Sequence, residues 1–80
     1  MDEQIRFAIK LLRWAGTGIV PAPDVSRRAL TGLESLGNLP RTERARALLA
    51  VACTGSGAAL DAGACRLAVE ALECADCDLF

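Results

Sequence analysis

RTERARALLAVACTGSGAALDAGACRLAVEALECA, residues 41–75, reads as two helices joined by a glycine turn. Alanine and leucine dominate it, and both lose little rotamer freedom in a helix, whereas β-branched residues lose more. Ala45, Leu48, Leu49 and Ala52 recur at the spacing of one helical face. After the turn, Leu60, Ala64, Leu67, Ala68, Ala71 and Leu72 do the same, forming a seam of small residues suited to close packing. Gly55-Ser56-Gly57 is the clearest turn in the chain, and Asp61 is placed to cap the helix that follows. The segment therefore predicts an antiparallel helical hairpin.

The rest of the chain adds two helices in front of it. The first is expected over about 2–15, with Asp2 and Glu3 at the positive end of its dipole. Ile5, Ala8, Ile9 and Leu12 form one apolar stripe, and Phe7, Leu11 and Trp14 a second, while Arg6, Lys10 and Arg13 make a narrow charged strip. Such a helix needs cover on two sides, the second supplied by another helix or by another protein. Gly16-Thr17-Gly18 ends it, and Ile19-Val20-Pro21-Ala22-Pro23 reads as extended, since each proline pushes its predecessor away from α geometry. Asp24 then looks like the N-cap of a second helix over about 25–36, with Val25, Ala29, Leu30, Leu33 and Leu36 inward and Gly37 as its left-handed C-terminal cap. Gly32 either weakens this helix or lets a neighbour come close. Leu39-Pro40 opens a third helix over about 41–53, for which Thr42 is a competing N-cap, and the fourth covers about 61–75. Fifteen alanines and twelve leucines against seven valines and isoleucines agree, and eighty residues hold one domain. The expectation is an all-α, small four-helix domain, either a bundle or a short helical-hairpin solenoid.

Composition narrows the function. Apolar residues at 52% and charged residues at 24% set the chain apart from disordered sequences, and a net charge of -1 lacks the footprint of a general nucleic-acid binder. Weak contact through Arg27, Arg28, Arg41, Arg44 and Arg46 is the most that nucleic acid is offered. There is no histidine and no tyrosine, so the scattered serines and threonines have no imidazole base and no triad can form. An enzyme, a cofactor and a small-molecule substrate are not expected. The longest nearly uncharged stretch, 47–64, is broken by Thr54, Gly55, Ser56, Gly57 and Asp61 where a membrane helix needs continuity. With no secretory signal visible, a cytoplasmic protein without a membrane partner is expected.

The four cysteines, Cys53, Cys65, Cys74 and Cys77, fall in the last third of the chain. Cys74-Ala75-Asp76-Cys77 is a CxxC, but it sits at a helix C-terminus among acids, which raise a thiol pKa where a redox enzyme needs it lowered. Zinc would require all four to converge from a spacing without paired knuckles, so no metal site is assigned. The hairpin turn brings Cys53 near Cys65, which allows a disulfide without requiring one. A cysteine-based metal or redox protein is the alternative reading.

Charge is unevenly spread. Residues 1–46 carry eight basic and five acidic side chains, a net of +3, and residues 47–80 carry one basic and five acidic, a net of -4. Such polarity steers head-to-tail self-association or docking to a charged partner, unless these are ordinary solvated helix faces. Glu70, Glu73, Asp76 and Asp78 face the negative end of the last helix's dipole, which predicts either a frayed terminus or an outside cation there.

Residues 45–78, through Leu48, Val51 and Ala52 in the first helix and Ala64, Ala68 and Ala71 in the second, resemble a tetratricopeptide-type helical hairpin. The usual aromatics are missing, the turn is glycine-rich, and Asp76 stands where the repeat ends in proline. The resemblance implies binding of a peptide or helix in a shallow groove, as in small chaperones and adaptors, with Phe7, Leu11 and Trp14 as contacts. Together these readings predict a small non-enzymatic protein–protein interaction module: adaptor, chaperone-like escort, immunity-type partner or homotypic assembly domain. Phe7, Leu11, Trp14, Arg27, Arg28 and Arg44 are its candidate partner-binding residues, the partner being another protein or a second copy.

Overall fold

The computed structural model describes residues 3–37, 40–55 and 60–78, with Pro40 and residues 75–78 described by backbone alone. Four helices account for most of them: α1 Glu3–Ala15, α2 Pro23–Glu34, α3 Glu43–Cys53 and α4 Ala62–Asp78, with a short 3-10 turn at Pro40–Thr42 before α3. The protein is all-α, and no strand occurs among the described residues.

The ends of the helices follow from local chemistry. After α1, the Gly16 and Thr17 amides donate to the carbonyls of Leu12 and Trp14, the Thr17 hydroxyl also donates to Trp14 at 2.6 Å, and Gly18 turns the chain with φ +100. Asp24 is not the N-cap of α2. That place belongs to Ala22, extended at φ -65 and ψ 143 as a residue before proline must be, because Pro23 carries the φ of a first helical residue and lacks an amide that would go unpaired there. Asp24 stays in the first turn, where its charge still complements the dipole. α2 stops at Glu34, two residues before the expected end, and the turn closes at Gly37 with φ +88. Thr42 occupies the N-cap of α3 without a side-chain capping bond. Asp61 does cap α4: its carboxylate accepts from the Ala64 amide at 2.8 Å. α4 runs on to Asp78, three residues beyond the expected end. Asp2, Leu39, Ser56 and Gly57 lie outside the described residues, as do the side chains of Asp76, Cys77 and Asp78.

Each helix packs on its neighbours in sequence, and α4 returns to pack on α1, which closes the four into a ring. Gln4 meets Gly32 while Trp14 shares a groove with Val25, so α1 and α2 are antiparallel. The start of α2 approaches the end of α3 where the Pro23 ring closes on Gly55, and α1 crosses α4 where Gly16 faces Cys65. α1 thus runs antiparallel to both α2 and α4, and the four helices form a bundle. Its radius of gyration of 11.2 Å matches the roughly 11.6 Å expected of a compact domain this long.

The core is made by Ile5, Ala8, Ile9, Leu11, Leu12 and Ala15 from α1, Ala29 and Leu33 from α2, Ala45 and Leu49 from α3, Leu60 before α4, and Cys65, Ala68, Val69 and Leu72 from α4. Two inner faces differ from expectation. Val25 is turned out and Ser26 is fully buried in its place, and on α4 Cys65 and Val69 point inward while Leu67 is 48% exposed. Gly32 is buried against the Gln4 side chain, the close approach its sequence position left open.

Candidate interaction surface

α1 carries its solvent-facing side chains as an ordered sequence around the helix. Every residue advances about 100°, so Leu11, Phe7, Trp14, Lys10, Arg6 and Arg13 follow one another from the α2 side to the α4 side. Leu11 is 8% exposed and belongs to the core, Phe7 is half-buried, and Trp14 is 58% exposed. The second apolar stripe therefore fans out from core to solvent rather than lying on one side of the boundary. Val25, turned out of α2, completes a groove of about 240 Å³ with Phe7, Lys10, Leu11 and Trp14. Ile19 and Val20, in the connection between the two helices, are also exposed.

The basic half of the same face lines a second groove, formed by Arg6, Ile9, Lys10, Arg13, Trp14 and Glu73. Arg13 is engaged there, its guanidinium donating to the Glu73 carboxylate at 3.2 Å with both side chains more than half exposed. One of the chain's acidic residues near the end of α4 thus meets one of its basic residues on α1 within the molecule.

The other candidate residues are not gathered at this place. Arg27 and Arg28 are exposed on α2, and Arg28, three residues after Val25, projects on the side of α2 that carries Val25. Arg44 stands on α3, diagonal to α1 in the ring, where it lines a groove with Arg41, Glu43, Leu67 and Ala71. Three exposed apolar residues went unrecognised in the sequence: Val25, read as core, Val51, read among the packing residues of the tetratricopeptide-type hairpin, and Leu67, read as part of the α4 seam.

The cysteines behave as separate residues. Cys53 is half-buried, Cys65 buried and Cys74 exposed, all three as free thiols, while the Cys77 side chain lies outside the described residues. Among the described residues no three potential metal-ligating side chains come together. Burial pushes the Cys65 thiol pKa up, and the nearby Asp61 carboxylate adds to the rise. No helix of the described residues is long and apolar enough to cross a membrane.

Comparison with family models, curated proteins and solved structures finds no match. Of the residues that carry the tetratricopeptide resemblance, Ala68 is buried, Leu48, Ala52, Ala64 and Ala71 are half-buried, and Val51 is exposed.

Proposed function

We propose that this protein is a small, non-enzymatic protein–protein interaction module that docks its partner on the outer face of α1 and the first turn of α2. The observation that carries this reading is the exposure of Trp14, the chain's one tryptophan, at 58% beside a groove floored by Phe7 and Leu11. Burying an indole gains more than burying almost any other side chain, and exposed aromatics clustered with a cationic rim are what interface centres are made of. A domain this small needs every large apolar side chain it can bury, so one left outside is better spent on association than on folding.

The test places a photo-reactive p-benzoylphenylalanine at position 14 in the cell that makes the protein. A discrete cross-linked protein, absent when the same residue replaces exposed Glu34 on α2, supports the reading. Equal labelling from both positions, or none from a folded protein, overturns it.

A further inference from the structure

We infer that the occupant of the α1–α2 groove is an acidic amphipathic helix of another protein, an assignment that rests on the docking reading above and adds its chemistry. Phe7, Leu11 and Trp14 stand at i, i+4 and i+7 on α1, a span of two turns or roughly 10 Å. Val25 faces them from α2. That is the imprint of a helix presenting anchors at its own i, i+3 or i+4, and i+7 positions.

Cations flank this apolar floor. Lys10 forms part of the groove itself, Arg6 stands one turn away on the same side of α1, and Arg28 stands one turn from Val25 on α2. Lys10 and Arg28 have no ion-pair partner among the described residues. Of the acidic residues near this face, Glu3 lies at the foot of α1, three turns from Trp14, Glu73 in the adjoining groove is paired with Arg13, and Asp24 stands one turn before Arg28 on α2, about a quarter turn away from Val25. A partner with carboxylates along both edges of its apolar stripe matches this pattern, and a basic one would meet like charge.

Two other occupants fit less well. The apolar floor is recessed at Leu11, 8% exposed, and a projecting side chain fills such a recess where a flat lipid surface does not. A second copy would have to offer an acid-flanked apolar stripe. Its α4 commits Glu73 to Arg13 and sets Leu67 beside Arg41 and Arg44 as well as Glu70.

The probe is a short synthetic helix with leucines at i, i+4 and i+7 and glutamates on both flanks, titrated into the full chain while Trp14 emission is followed. The expected result is a saturable blue shift that weakens with added salt and needs about tenfold more peptide in Lys10→Glu, whose far-ultraviolet circular dichroism stays unchanged. Equal binding by the same peptide with lysine for every glutamate overturns the acidic assignment and leaves the docking reading standing. Absence of binding by either peptide overturns the helical occupant, while the position-14 cross-link independently decides the docking reading. A blue shift with phosphatidylserine vesicles alone, or a mass that grows with protein concentration in light scattering and is lost in Trp14→Ala, overturns it in favour of a membrane or a second copy.

Discussion

At the scale of single residues, Ser26 and Cys65 are buried groups whose chemistry is at odds with their surroundings. The Ser26 hydroxyl is fully buried and has no hydrogen-bond partner among the described residues. It gives up its water contacts without replacement, a cost of about 1–3 kcal/mol when nothing relaxes, and serine is also a poorer helix former than alanine. Ser26→Ala is therefore expected to stabilise the fold by about 1 kcal/mol, read as a rise of roughly 4–8 °C in the thermal midpoint. A fall would mean that the hydroxyl has a partner in solution. The second group is Cys65, whose thiol pKa is raised by burial and then by Asp61. The unfolded chain ionises this thiol at about 8.5, the folded chain only at higher pH. Its contribution to stability is thus complete below the unfolded pKa and declines as pH rises through the folded one. Alkylation of the native protein near pH 8 should modify exposed Cys74 readily and Cys65 only through unfolding, as peptide mapping would show. Comparable rates at the two would refute the burial of Cys65.

At the scale of elements, how far the sequence could be read depended on how unevenly each helix distributes its polarity. α1 alternates charged and aliphatic residues sharply, and Ile5, Ala8, Ile9 and Leu12 lie in the core as their spacing predicts. In α4 the stripe of Ala64, Ala68 and Ala71 adjoins a second apolar stripe of Cys65, Val69 and Leu72, so the apolar arc is wide and periodicity alone does not fix which part of it turns inward. Leucine was favoured for the inside at Leu67, yet the neighbours α1 and α3 select Cys65 and Val69, the first of which packs where α1 ends at Gly16. The exchange of Val25 and Ser26 has a similar origin. Starting the helix at Pro23 rather than after Asp24 is a matter of proline geometry, and the rotation of α2 that follows is set by Gly32 against Gln4, a contact between elements far apart in sequence. The candidate surface was half legible for the same reason. Phe7, Leu11 and Trp14 were marked by spacing on one helix, but Val25 joins them only once α2 is laid antiparallel to α1.

At the scale of the whole molecule, the closing contact between α4 and α1 decides which side chains are structural. A domain of eighty residues is stable by only about 4–12 kcal/mol, so one large core side chain is a substantial part of the total. Leu12 is fully buried in the core and lies where α1 crosses α4. Leu12→Ala removes its methyl groups and leaves a cavity that a ring of four short helices cannot easily collapse, a loss of about 2–5 kcal/mol. Trp14 is two residues further along the same helix and more than half exposed, and Trp14→Ala should cost about 1–2 kcal/mol, less than Leu12→Ala, because most of the indole makes no contact with the fold and its loss opens no cavity. Urea denaturation followed by circular dichroism separates the two cases. Leu12→Ala should lower the midpoint severely or unfold the chain, with Trp14→Ala folded and lowered much less. Comparable losses for both would return Trp14 to the core, and the wide apolar face of α1 would then serve folding rather than a partner.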